Sequence, residues 1–224
     1  MNIAIVPMKT NSSRVKNKNF RDLAGKPLWR WTVDKLLESQ IFDKIFLSTD
    51  NLNLISDFEN DIVTKIERPK SLCKSEVHTI EVVFSVLRNQ KSISNQDNIY
   101  LLLPTSPFRS IDTLKKANKL LSQDINSVIA IAKASKGSNS YRTINKDSFI
   151  INLPKDSSLH LQSTDAIEYL VTGSLFASKY EHLILNKSFH QTGGYGLIVS
   201  EFEAIDINTE LDFLTATVYA KENL

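Results

Sequence analysis

Apolar residues along this chain gather into short runs of strand length: Ile3–Val6, Lys44–Ser48, Ile62–Ile66, Ile99–Leu103, Ser127–Ala132 and Gly196–Val199. Between the early runs they recur at helical spacing instead. Leu28, Trp31, Leu36 and Leu37 share one face, Val82, Val83, Val86 and Leu87 a second, and Leu114, Ala117, Leu120 and Leu121 a third. Strand alternating with helix predicts an α/β fold of three layers, a mostly parallel twisted sheet covered by helices on both faces. Ligands of such sheets bind beyond the carboxyl ends of the strands.

After Ala132 the pattern changes. The stretch "KASKGSNSYRTINKDSFI" is polar and turn-rich, Ile144–Leu153 reads as a hairpin-like β segment, and Glu168–Ser178 as a further strand. A second polar stretch, Asn186–Gly194, precedes a return to sheet-like sequence. Residues 135–192 are therefore expected to leave the sheet as a small β-rich excursion within a single domain, 1–224. Tyr141, Phe149, Ile150 and Ile151 give that excursion apolar surface it cannot bury alone, which fits a homodimer contact. The last segment, Thr209–Asn223, has Leu211, Leu214, Thr215 and Val218 at helical spacing, opened by a Thr209/Asp212 capping box with Asp in place of Glu.

Composition narrows the class of partner. The chain has 224 residues, 42% hydrophobic and 23% charged, as in ordinary globular domains. Its apolar runs are too short to cross a bilayer, and Ile3–Val6 lacks the length and flanking charge of a secretory signal. The lone Cys73 permits neither an internal disulfide nor a cysteine metal site, so the cytoplasm is the expected compartment. His78, His160, His182 and His190 show no ligand spacing. A net charge of only +2 argues against nucleic acid as partner. The charge is uneven, however: residues 9–30 hold seven Lys and Arg against one acid, Asp22. That excess follows the first strand and precedes a helix expected to start near Pro27. Backbone amides there, with Lys9, Arg14, Lys16 and Lys18, suit phosphate oxygens. A plain solvated basic loop is the other reading. Neither GxGxxG nor GxxxxGK[ST] is present, which excludes a dinucleotide fingerprint and a P-loop.

Five ordered motifs then resemble the cytidylyltransferases that activate acidic sugars, the CMP-sialic acid synthetase family. They are the opening "IVPMKTNSSRVKNKNFRDLAGKPL" with its Lys18-Asn19 pair and Leu23–Leu28 stretch, "IFLSTDN" (45–51), "RPKSL" (68–72) with Thr79, "LLLPTSPFRS" (101–110) and "EAIDINTELDF" (203–213). The resemblance implies a Rossmann-like nucleotidyltransferase fold, CTP and a nonulosonate-type acidic sugar as substrates, Mg²⁺ as cofactor and a homodimer. It implies catalytic roles for Lys9, Lys18 and Asp206, with Lys9 standing where the family has Arg. Ser12, Ser13 and Lys18 would meet the β- and γ-phosphates, and Asn19 the nucleotide, unless Asn19 only caps its own turn. Thr79, Thr105 and Ser106 would touch substrate. Arg109 would meet the sugar carboxylate or a phosphate, or else cap the sheet edge. Thr172 replaces the family's Asn and either touches the sugar or is a plain strand residue; Leu103 replaces a frequent Gln. Asp206 and Asn208, expected to alternate on one strand face, would hold the metal, Asn208 replacing a second Asp. Two other readings remain at this point: a nucleotide-sugar-dependent glycosyltransferase with Asp-x-Asn as its metal motif, and a non-catalytic homologue with a depleted metal site.

Overall fold

The first apolar run forms the middle of the sheet. A computed structural model describes residues 1–12, 14–90, 92–123, 125–134, 143–144, 150–152 and 168–223. Its elements, in chain order, are β1 (Asn2–Met8), β2 (Asp22–Leu23), β3 (Lys26–Pro27), α1 (Leu28–Ser39), β4 (Lys44–Thr49), β5 (Val63–Glu67), α2 (Thr79–Arg88) and β6 (Asn98–Leu101). They continue as α3 (Ile111–Ser122), β7 (Ser127–Lys133), β8 (Thr143–Ile144), β9 (Ile150–Asn152), β10 (Tyr169–Lys179), α4 (Tyr180–Asn186), β11 (Tyr195–Ile198) and α5 (Glu210–Asn223).

Seven strands form one sheet in the order β11-β7-β10-β6-β1-β4-β5. The β1–β4, β4–β5, β1–β6 and β11–β7 pairs are parallel, and β10 runs antiparallel between β6 and β7. Alternation along β1 sorts its side chains into two layers. Ala4, Val6 and Met8 pack with Trp29, Val33 and Leu36 of α1 and Leu114, Ala117 and Leu121 of α3. Ile3 and Ile5 point the other way, to Val83, Val86 and Leu87 of α2 and Leu183 of α4. The expected faces of α2 and α3 are thus the ones turned to the sheet, whereas α1 packs there through Trp29, Val33 and Leu36 and turns Leu28 and Trp31 to a separate apolar cluster; the three-layer architecture is as the periodicity predicts.

The chain leaves β1 toward β4 and β5, then returns to pair β6 on the other side of β1. That reversal makes a topological switch point, with a crevice at the carboxyl ends of β1 and β6. A third apolar cluster walls it: Val15, Leu23, Leu28, Trp31, Phe108, Ile207, Phe213, Ala216 and Ala220. Val15, the lone apolar residue between Met8 and Phe20, is 1% exposed. Burying it favours the folded loop by about 1.5–3 kcal/mol and pins the basic segment over the sheet.

Four expectations change. Residues 169–179 belong to the main sheet, not to an excursion: β10 is buried from Thr172 to Ser178 and pairs on both edges. Small side chains at Gly173, Ser174, Ala177 and Ser178 let helices close on both sides of it. What leaves the sheet is narrower, and includes the paired β8 and β9; Tyr141, Phe149 and the side chains of Ile150 and Ile151 lie outside the described residues. α4 lies within the stretch expected to leave the sheet but packs on β10 and β6 instead; its seven residues bury little beyond Leu183 and leave almost no periodicity. Pro27 precedes α1 rather than opening it. It pairs with Asp22 across a two-residue turn, Ala24 at φ 50° and Gly25 at φ 97°. Both central residues need positive φ in such a turn, and Asp22 Oδ1 accepts from Gly25 N at 3.1 Å to hold it. Finally, Asp206–Asn208 is not a strand but part of a segment without regular structure, tied to the exit of β6 by Ile207 N donating to Thr105 O at 2.8 Å.

Candidate active site

A cleft of about 320 Å³ opens at the switch point. Among the described residues five cations line it, Lys9, Arg14, Lys18, Arg68 and Lys74, against one acid, Asp206. Such an excess favours a small polyanion.

The basic loop is held from both ends. Thr10 donates its amide and its hydroxyl to Asp50 at the end of β4, each at 2.7 Å. Asn19 is 5% exposed and donates to Lys9 O at 2.9 Å. It therefore caps the loop internally while still lining the cleft. Lys9 Nζ donates to Cys73 O at 3.3 Å across the opening. Lys18 Nζ donates to Ile207 O, and Arg14 Nη2 to Asn208 Oδ1 at 3.3 Å. Asn208 Nδ2 donates to Asp206 Oδ2 at 2.6 Å, so these two side chains do share one face despite the missing strand. The capping box forms: Asp212 Oδ2 accepts from Asn208 N at 2.8 Å and Thr209 N at 2.7 Å, and Thr209 Oγ1 accepts from Asp212 N at 3.2 Å. Burial by itself raises the Asp212 carboxyl, but the two amides outweigh it and hold it below the usual carboxylate range.

Burial lowers the Lys18 ammonium below its ordinary pKa; neighbouring Asp206 opposes that shift, while Arg14 and Lys9 add to it. A bound polyanion would restore the proton. Affinity for a triphosphate should thus start to fall, as pH rises, at a lower pH than an ordinary lysine would give. Lys18→Arg should remove that fall. Titration calorimetry between pH 8 and 10 tests this, and identical pH profiles for the two proteins would sink it.

Lys9, Ser12, Lys18, Asn19, Thr79, Thr105, Asp206 and Asn208 all line the cleft, with Thr79 at the first turn of α2. Ser13 lies outside the described residues. Three others fall elsewhere. Arg109 is 1% exposed and cannot reach a ligand in the cleft. Its Nε donates to Ser174 O at 2.8 Å, Nη1 to Thr32 Oγ1 at 2.6 Å and Nη2 to Leu103 O at 2.7 Å. Burial pushes its pKa down to about 9, which still leaves it charged at neutral pH. Thr172 is enclosed in β10, its hydroxyl donating to Ala130 O at 3.1 Å and sharing a hydrogen bond with Ser174 Oγ at 3.0 Å. A β-branched strand residue has that surrounding, not a substrate ligand. Ser106 is fully buried beneath the cleft.

Sequence reasoning passed over Arg68 and Lys74, both of which line the cleft. Arg68 is 6% exposed, donates from Nη2 to Ser48 O at 3.1 Å and keeps a buried Nε without a partner among the described residues. Its signal was the proline that follows it, which ends β5 and turns the guanidinium back under the cleft.

Comparison with known proteins follows this geometry. A family model described as cytidylyltransferase matches residues 3–195. An N-acylneuraminate cytidylyltransferase of Escherichia coli O18:K1:H7 is 26% identical over 224 residues, 99% of this chain and 52% of that protein. The chain thus spans about half the length of that relative. A CMP-N,N'-diacetyllegionaminic acid synthase of Legionella pneumophila is 28% identical over 215 residues, 94% of this chain and 92% of that one. In structure, a CMP:2-keto-3-deoxy-manno-octonic acid synthetase complexed with CTP superposes with a TM-score of 0.71 at 10% identity, covering 100% of this chain and 99% of its own. A 2-C-methyl-D-erythritol 4-phosphate cytidylyltransferase of Francisella tularensis gives 0.69 at 17% identity, covering 100% and 99%. At those identities the structures speak to the fold.

Proposed function

Because this chain belongs to the cytidylyltransferase family, we propose that it joins CTP to an acidic sugar of the nonulosonate type, giving a CMP-sugar and pyrophosphate. The observation that carries this reading is the convergence of five cations on one switch-point cleft. A sugar hydroxyl attacks the α-phosphorus and gives up its proton to solvent as the bond to the β-phosphate oxygen breaks, and pyrophosphate departs with the electron pair. Lys9, Arg14 and Lys18 lie on the loop over β1, where charge on the departing phosphates is neutralised without reorganisation. Lys9 supplies a point charge rather than a bidentate fork. Relatives named for N-acylneuraminate, diacetyllegionaminate and pseudaminate support an acidic-sugar acceptor. The glycosyltransferase and non-catalytic readings have no observation in their favour comparable to the family match.

Magnesium fits the residues present. Asp206 keeps a buried oxygen, Oδ1, without a partner among the described residues, and the cleft leaves room for phosphate ligands. Asp206 and Asn208 would hold the ion through hard oxygens, and it would supply charge neutralisation on the triphosphate. Asn208→Asp should lower the Mg²⁺ needed for half-maximal turnover, on the order of tenfold. It removes the amide that donates to Asp206 at 2.6 Å and sets two carboxylates together. The variant should therefore melt lower than wild type without Mg²⁺ and recover with it. A melting point indifferent to Mg²⁺ would contradict this.

The chain acts in this reading as a cytoplasmic homodimer. Exposed Leu170 and Val171 of β10 and Ile198 of β11 support the dimer. No helix among the described residues is long and apolar enough to cross a membrane. Pyrophosphate release from CTP, ATP, GTP and UTP, each with an N-acylneuraminate, N,N'-diacetyllegionaminate and pseudaminate, tests the function. Release with CTP and one of these acids is expected; equal release from purine nucleotides, or none at all, overturns it.

A further inference from the structure

The apolar spacing that marks the last helix in the sequence belongs to its outer face. Leu211, Leu214 and Val218 of α5 are each more than half exposed, with Thr215 exposed beside them. The inner face is a different set, Phe213, Ala216 and Ala220, packed with Val15, Leu23 and Leu28. α5 is thus apolar on two sides, and the described residues cover one of them. A helix of that kind is ordinarily buried on both, and large apolar side chains in one row mark an interaction surface where scattered ones do not. The steps of three and four residues, from 211 to 214 to 218, make the narrow seam of a helix that meets one other helix.

Charge says which helix. The first turn of α5 holds Glu210 and the last turn Lys221. At about 100° per residue both fall on one flank of the apolar row, with Thr215 and Glu222 on the other. A two-fold axis that sets two helices antiparallel brings like flanks together, each end beside the opposite end. A parallel pair brings unlike flanks together. The antiparallel pair therefore puts Lys221 of one copy beside the partner's Glu210, and the parallel pair does not. The same register sets Leu214 against the partner's Val218, and Leu211 against the alkyl stem of the partner's Lys221. Glu210 Oε2 already accepts from Arg21 Nη1 at 2.6 Å, yet more than half of its side chain stays exposed, which leaves room for a second cation.

We propose that α5 is a docking surface for α5 of a second copy, the two helices antiparallel about a two-fold axis. α5 packs on β2, so this contact is separate from the one at β10 and β11. Three side chains cover much less than the roughly 800 Å² per partner of a standard interface. The contact is accordingly transient and fills as concentration rises. It also reaches the cleft. Asp212 of α5 accepts from Asn208 N and Thr209 N, and Phe213 lies 4.1 Å from the Arg21 guanidinium that follows the basic loop. Holding α5 against a partner steadies the segment that carries Asp206 and Asn208.

Sedimentation velocity from low to high micromolar concentration, beside a melting curve for each protein, tests the docking surface. Wild type should gain a species of twice the mass as concentration rises. Leu214→Glu, at an exposed position that leaves the melting temperature unchanged, should weaken that step by about tenfold or more. Lys221→Glu should weaken it as well, and adding Glu210→Lys to Lys221→Glu should restore it. Hydrogen exchange at the Asn208 and Thr209 amides should slow as the heavier species fills in wild type, and not in Leu214→Glu. One mass for wild type across the whole range overturns the proposal and leaves the row to a different protein. A heavier species that survives Leu214→Glu also overturns it, by placing self-association elsewhere on the chain. Loss in Lys221→Glu with no rescue by the charge swap overturns the antiparallel pairing, and exchange indifferent to association overturns the link to the cleft.

Discussion

Arg109→Ala is expected to destabilise the protein by about 3–5 kcal/mol, a large share of the roughly 5–15 kcal/mol that holds a domain of this kind together. The guanidinium joins three elements, β10 through Ser174 O, α1 through Thr32 Oγ1 and the exit of β6 through Leu103 O. Removing it opens a cavity and leaves two carbonyls and a hydroxyl facing that cavity, each costing about 1–3 kcal/mol when unsatisfied. The three bonds stay charge-assisted at neutral pH, since burial lowers the Arg109 pKa only to about 9. Arg109→Lys should recover part of the loss, because an ammonium keeps the charge but cannot span three acceptors in one plane. Urea unfolding measures both. A midpoint for Arg109→Ala within error of wild type would show that the buried fork is not a framework group.

Asp206→Asn should reduce pyrophosphate release by a factor of roughly 10²–10³, about 2.7–4 kcal/mol of lost transition-state stabilisation. The substitution keeps the side-chain shape and removes the one acid that lines the cleft among the described residues. It takes away the anionic oxygen available to a metal and the neighbour that favours the Lys18 proton. The fold should persist, because Ile207 N still donates to Thr105 O and Lys18 still reaches Ile207 O. Steady-state turnover with a melting curve reads the two effects separately. Full activity in a folded Asp206→Asn variant would remove this carboxylate from the chemistry.

Much of the fold was legible because strand and helix periods differ. The faces Val82, Val83, Val86 and Leu87 and Leu114, Ala117 and Leu121 are buried as their spacing predicts. What periodicity could not give was partnership. β10 has a strand-like composition, but nothing local says that it lies antiparallel between β6 and β7 rather than outside the sheet. The site behaved likewise. Charge density located the loop that carries Lys9, Arg14 and Lys18, because exposed cations crowded after a strand have few other uses. Arg109 and Thr172 look from sequence like ligands, because side-chain chemistry is visible there and burial is not. Asp206 and Asn208 share a face although no strand forms, joined by the hydrogen bond from Asn208 Nδ2 to Asp206 Oδ2.

Lys18, Thr105 and Ile207 meet at one point, Ile207 accepting from the first and donating to the second. In folding terms, that knot closes a loop of nearly the whole described chain, and contacts so distant in sequence form late because their ordering entropy comes before their reward. During synthesis, β1, β4, β5 and β6 are all available for pairing long before Ile207 has been made. A nascent chain can therefore hold half a sheet with its basic loop in place and still have no enclosed cleft. On the proposed function, a nucleotide that binds only the enclosed cleft would bias this step of folding toward closure.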